Sequence, residues 1–182
     1  MSENNTLPKR DEIDEKFKWK LSDMYPNIEQ WEKDFNSVKQ LTQEIVKYKG
    51  TLDKSPENLL QCLKLSNDMM AVNDMVYVFA RMKRDEDNGN SMYQALSDRA
   101  STLSTEVYAA ISFIVPEITS IPENKIESFI ASCEELKLYR QFFNEIFRQK
   151  EHILSEKEEE LLALSSDMAS NARDIFTMFN NA

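Results

Sequence analysis

Residues 55–116 read SPENLLQCLKLSNDMMAVNDMVYVFARMKRDEDNGNSMYQALSDRASTLSTEVYAAISFIVP. Ser55-Pro56 is a helix start. A serine oxygen can accept from the free N–H groups of the first turn, and proline at the first helical position gives up only an N–H that has no intrahelical partner. From there Leu59, Leu60, Leu63, Met69, Met70, Val72, Val76, Phe79 and Met82 recur at helical spacings. Residues 85–90 break the pattern, with Asn88-Gly89 as the turn signal. Met92, Leu96, Ala100, Leu103, Val107, Ala110, Ile111 and Ile114 then resume it as far as Pro116, which is expected to stop the helix. Two long helices joined by a short polar turn predict an antiparallel helical hairpin.

Toward the N-terminus, Asn27 is placed to cap a further helix. Ile28, Trp31, Phe35, Val38, Leu41, Ile45 and Tyr48 lie three or four apart on one face of it, and Gly50 follows where a left-handed C-cap belongs. Before it, residues 21–25 form a turn closed by Pro26, with Trp19 and Leu21 expected as the first anchors. Toward the C-terminus, residues 116–122 hold about one helical turn. Pro122 opens a helix through Ile126, Phe129 and Ile130. A further helix from about Glu134 carries Leu136, Tyr139, Phe142, Phe143, Ile146 and Phe147. Ser155 and Glu158 make a reciprocal capping box for a final helix with Leu161, Leu162, Leu164, Met168, Ala172, Ile175, Phe176 and Phe179. No segment alternates with the period of two that a half-buried strand requires. The expectation is an all-α fold of six to seven helices that includes the long hairpin. It is organised as an extended N-terminal segment over 1–18, a long-helix hairpin section over 19–115, and shorter helices with a final amphipathic helix over 116–182.

Composition excludes several functions. At 41% hydrophobic residues in 182, the chain can build a core, since chains of this size bury roughly 70% of their unfolded surface. Gly50 and Gly89 are the only glycines, too few for phosphate-cradling loops or for the turns of a β-rich fold. A net charge of −10 opposes nucleic-acid binding and docking on anionic lipid. The basic tract Lys9-Arg10, Lys16, Lys18 and Lys20 is interleaved with Asp11, Glu12, Asp14 and Glu15, and reads as a mixed solvated surface. Residues 1–20 have no apolar core of a secretory signal, and no apolar run is long enough to span a bilayer. Cys62 and Cys133 stand far apart inside helical patterns and read as reduced thiols. The expected location is the cytoplasm.

His152 is the single histidine. A zinc site of the H-E-x-x-H kind needs two histidines on one helix face, and a di-iron bundle needs two Glu-x-x-His pairs. Neither can be assembled. A dyad of Cys62 or Cys133 with His152 lacks the electropositive surroundings that activate a thiol. Glu156 and Glu158–Glu160 fall in a first helical turn, where acidic side chains suit the free N–H groups and the macrodipole. Met69, Met70, Met75 and Met82 could line a peptide groove, but read as core filling. No catalytic, cofactor-binding or metal-ligating residue is expected in this chain.

Two stretches carry a resemblance. One is Leu7-Pro8-Lys9-Arg10 followed by Trp19-x-Leu21-Ser22-Asp23-Met24-Tyr25-Pro26, then Trp31 and Phe35. The other, within residues 139–164, is Ile146-x-Arg148-x-Lys150-x-His152-x-Leu154-Ser155 followed by Glu158-Glu159-x-Leu161-Leu162. In order and spacing these resemble the N-terminal helical region of the oligoendopeptidase F proteins, M3-family zinc metallopeptidases. The resemblance implies a lobe that walls the channel around a zinc site and admits short peptides. The family's H-E-x-x-H helix lies in a later, larger part, so no zinc or catalytic role carries over to any residue here. The implied partners are a missing C-terminal catalytic domain and oligopeptide substrates, with zinc held by the parent protein and the chain inactive by itself. The apolar end at Ile175, Phe176, Met178 and Phe179 either packs back onto the bundle or marks a chain cut from a larger protein, and in the second case the fragment is expected to self-associate there. A free-standing helical module that grips a partner protein is the alternative.

Overall fold

The structure, a computed structural model, describes residues 12–150. Among these there is no strand, and six α-helices follow in order. They are α1 (Ile28–Ile45), α2 (Pro56–Glu86), α3 (Ser91–Ile111), α4 (Ile114–Ser120), α5 (Glu123–Ser132) and α6 (Arg140–Gln149). Short 3-10 turns occupy Glu15–Phe17, Leu21–Asp23, Val46–Tyr48 and Glu134–Tyr139. Two compact units divide between Arg140 and Gln141. The capping box at Ser155, the final helix and His152 lie outside the described residues.

The local signals act as their chemistry requires. Asn27 accepts from the Gln30 N–H at 2.9 Å and Ser55 from the Asn58 N–H at 3.2 Å, each satisfying a first-turn donor. Gly50 adopts φ +74°, the left-handed conformation that favours glycine. Residues 87–90 form the turn between α2 and α3, and Asn90 caps α3. Near that turn the Lys83 ammonium lies 5.5 Å from the Tyr93 ring centre; further along, Ser104 Oγ donates to Asn73 Oδ1 at 3.1 Å. As one helix is followed forward its partner is followed backward, so α2 and α3 run antiparallel.

The core lies where α1, α2 and α3 meet. Trp31, Val38 and Ile45 from α1, Met69, Val76 and Phe79 from α2, and Leu103 and Val107 from α3 are all buried. Trp31 is sealed, and its indole N–H donates to the Val76 carbonyl at 2.9 Å, so the one polar atom of a large apolar side chain is satisfied. Over this junction the Arg99 guanidinium lies 4.6 Å from the Phe35 ring centre, and its two Nη atoms grip the Glu32 carboxylate at 2.6 and 2.8 Å. α3 is thereby fastened to α1 by a stacked cation and a fork of two hydrogen bonds.

Along one stripe of α2 (residues 60, 64, 67, 71, 75, 78 and 82, spaced by three and four), cover changes with position. Its first half meets the Glu134–Tyr139 turn, where Lys64 pairs with Glu135 and Asn67 Nδ2 donates to Tyr139 Oη at 3.1 Å. Further on, Met75 and Val78 are exposed.

Two expectations are corrected. Trp19 is 77% exposed and anchors nothing, while Leu21 and Tyr25 are buried. Tyr25 is the better anchor because its ring packs edge-on against Phe79 at 5.1 Å while its hydroxyl reaches Asp34 at 2.9 Å. Pro116 does not stop the second hairpin helix. α3 ends at Ile111, and Pro116 sits in the first turn of α4, where the proline costs no intrahelical hydrogen bond. The next residue, Glu117, then reaches back to the loop after α1. Its carboxylate accepts from the Gly50 and Leu52 N–H groups, both at 2.8 Å.

Candidate functional site

The residues weighed for chemistry are dispersed. Cys62 is fully buried on α2, and burial, reinforced by the negative charge of Glu117, pushes its thiol up to about 12. Such a thiol stays protonated and inert at neutral pH. Cys133 is half-buried beyond α5, and both cysteines are free. His152, Glu156 and Glu158–Glu160 lie outside the described residues. Of the methionines, Met69 is buried, Met70 and Met82 are half-buried and Met75 is exposed. They form no single groove. Among the described residues no group of three or more His, Cys, Asp or Glu is placed to hold a metal ion.

What the fold does build is an open groove of about 390 Å³ along α2 and α3. Its floor is Asn73, 1% exposed, whose Oδ1 accepts from Ser104. Tyr77 and Tyr108 contribute aromatic walls, with Asp74 and Thr105 beside them. The Tyr77 hydroxyl accepts from Arg81 Nη1 at 3.5 Å, one turn further along α2, and Thr105 Oγ1 donates to the Ser101 carbonyl at 3.1 Å. Tyr108 is 55% exposed. The arrangement places two ring faces and one exposed carboxylate around the Asn73 amide.

A second hollow of about 400 Å³ lies between the Gly50 loop and the start of α5. Glu117 lines it, but its carboxylate is spent on the Gly50 and Leu52 N–H groups. A third, of about 210 Å³, is lined by Trp19, Leu21, Met82, Asp85 and Glu86.

The sequence reading missed Asn73. A signal was present: the residue falls four after Met69 and three before Val76, both core positions, so an amide appears where the stripe calls for an apolar side chain. No comparable signal marks Glu117, whose partners are 65 and 67 residues away.

Comparison with known proteins places this helical assembly. The profile of the family described as Oligopeptidase F matches residues 117–182. The chain is 42% identical to oligopeptidase PepF of Bacillus subtilis over 98% of its own length and 27% of that protein. It is 32% identical to the group B oligopeptidase PepB of Streptococcus agalactiae over 95% of its length and 29% of that protein. The crystal structure of oligoendopeptidase-F from Enterococcus faecium superposes with a TM-score of 0.68 at 29% identity, covering 86% of this chain and 31% of that one. The chain thus spans under a third of the length of the relatives it matches. By sequence and by fold, the chain is similar to the N-terminal helical region of the oligoendopeptidase F proteins.

Proposed function

We propose that this chain is the N-terminal, non-catalytic lobe of an oligoendopeptidase F-like zinc metallopeptidase that hydrolyses short peptides, and that it helps wall the substrate channel. The observation that carries the reading is the pairing of 98% coverage of this chain with 27% coverage of the Bacillus subtilis relative. A near-complete match to part of a peptidase supports a lobe of such an enzyme over an unrelated helical module.

Zinc, in this reading, belongs to the remaining part of the parent protein. The residues described do not fit a zinc centre, because no suitable donor cluster exists among them and the chain has one histidine. No step is therefore assigned to a metal held here. What the lobe's residues contribute is shape: a rigid three-helix junction at Trp31 and Arg99 that can exclude water and folded proteins from an enclosed space. The partners are the catalytic domain of the same protein and oligopeptide substrates. We also place the parent in the cytoplasm, which the two free cysteines support. Among the described residues no helix is long and apolar enough to cross a membrane.

The test compares two purified products on a quenched-fluorescent oligopeptide, with and without added zinc. One is this chain; the other is the product of the reading frame continued past Ala182. No turnover by the chain, and zinc-dependent turnover by the longer product, is the expected result. Turnover by the chain that survives repurification, or a frame with no downstream H-E-x-x-H, overturns the proposal.

A further inference from the structure

We infer that the groove between α2 and α3 is a binding site for an extended peptide segment carrying a basic residue. The choice of a peptide rests on the lobe reading above; the site itself rests on the groove's own atoms. Asn73 is the central one. Its Oδ1 is occupied by Ser104, whereas no described residue accepts from its Nδ2, and that nitrogen is not sealed from the groove. An amide held at 1% exposure, with no described acceptor for its N–H groups, is reached only through the groove. A neutral carbonyl acceptor completes it, and a peptide main chain presents one at every residue.

The neighbouring residue fixes the charge of the ligand. Asp74 is exposed and is the one charged side chain among the described residues lining the groove. No described lysine or arginine lies within ion-pair distance of it, so its carboxylate is available to a ligand cation. Tyr77 and Tyr108 supply ring faces beside it, on which a guanidinium or the methylenes of a lysine can rest. An anionic ligand would meet Asp74 with like charge. A volume of about 390 Å³ is at the lower end for ligand pockets, which suits one basic side chain with its flanking peptide units.

The test titrates the intact 182-residue chain with a fluorescent, end-blocked heptapeptide containing a central arginine, and with its glutamine analogue, read by anisotropy. Asp74→Asn and Tyr108→Ala alter exposed side chains, and circular dichroism confirms that each variant is folded. Saturable binding of the arginine peptide is expected. It should weaken about three- to fivefold with Asp74→Asn, down to the level of the glutamine analogue, and about tenfold with Tyr108→Ala. Absence of saturable binding up to millimolar peptide overturns the inference, as does any result in which only one substitution acts or the two peptides bind alike. Binding is read without turnover, so the site can stand while the peptidase reading falls, or fall while that reading stands.

Discussion

The two sides of the α2–α3 hairpin end in opposite states. On the side facing α1, Trp31, Val76, Phe79, Leu103 and Val107 close on one another, and the polar atom in their midst, the Trp31 indole N–H, has its acceptor. On the other side Asn73 is bridged to Ser104, and Tyr77, Asp74 and Tyr108 stand around an open groove. The difference comes from what a third element supplies. α1 brings a sealed tryptophan and the Glu32 grip on Arg99 to one side; no described element brings a comparable ring to the other. Burial on the first side stabilises the fold, and exposure on the second leaves surface for a ligand.

Trp31→Ala removes a sealed ring and its hydrogen bond to Val76. A loss of about 3–5 kcal/mol is expected in urea unfolding, against a change within about 0.5 kcal/mol for Tyr108→Ala on the open side. Equal losses at the two sites would erase the distinction.

Asn73 lies at the boundary, and its pair with Ser104 can be taken apart in a double-mutant cycle. Asn73→Ala alone should cost about 1–3 kcal/mol, because it leaves the Ser104 hydroxyl buried without its acceptor. Adding Ser104→Ala should recover part of that loss. Strict additivity of the two changes would mean that the hydrogen bond does not couple the helices.

Cysteine labelling sharpens the contrast between sealed and open surface within α2 and its neighbours. Cys62 should resist a thiol reagent at pH 8 until the chain unfolds, while half-buried Cys133 labels in the native state. The sign of the alkaline effect follows from the raised thiol. The unfolded thiol loses its proton near 9 and the folded one only near about 12, so Cys62 contributes stability below the first value that is lost as pH rises toward the second.

The smallest expected effect is at the Glu32–Arg99 pair. Hydrogen bonding to Arg99 holds the Glu32 carboxyl below its ordinary 4.5. Its contribution is therefore full above that value and disappears as pH falls through the lowered one. Both side chains are more than a third exposed, so Arg99→Met should remove less than about 1 kcal/mol of pH-dependent stability. Acid unfolding curves of the two proteins that differ by much more would show the pair to be more central than its exposure suggests.

Much of the fold was legible because its signals are local. Asn27, Ser55 with Pro56, the left-handed Gly50 and the Asn88-Gly89 break each declare a boundary through their own backbone chemistry, and the stripes through Trp31 and Val76 declare a buried face. Trp19 misled because size and apolarity do not say whether a neighbour is available, and Tyr25 had both an aromatic neighbour and an acceptor. Pro116 misled because proline ends one helix and begins another with equal ease, and here α3 has already ended at Ile111 before Pro116 enters the first turn of α4. The groove was the least legible part. Asn73 could have been noticed as an amide on an apolar stripe, but its juxtaposition with Tyr108 depends on how α3 lies against α2, which no single helix encodes.

The reach of Glu117 to Gly50 and Leu52 has a kinetic side. It joins a seven-residue helix, too short to persist alone, to a loop 65 and 67 residues earlier in the chain. Closing so long a circuit is entropically slow, and the Glu117 bonds couple the two ends to each other. α4 and the Gly50 loop should therefore open and close as one late-forming exchange unit, leaving the tryptophan junction protected while their amides trade hydrogen for deuterium together.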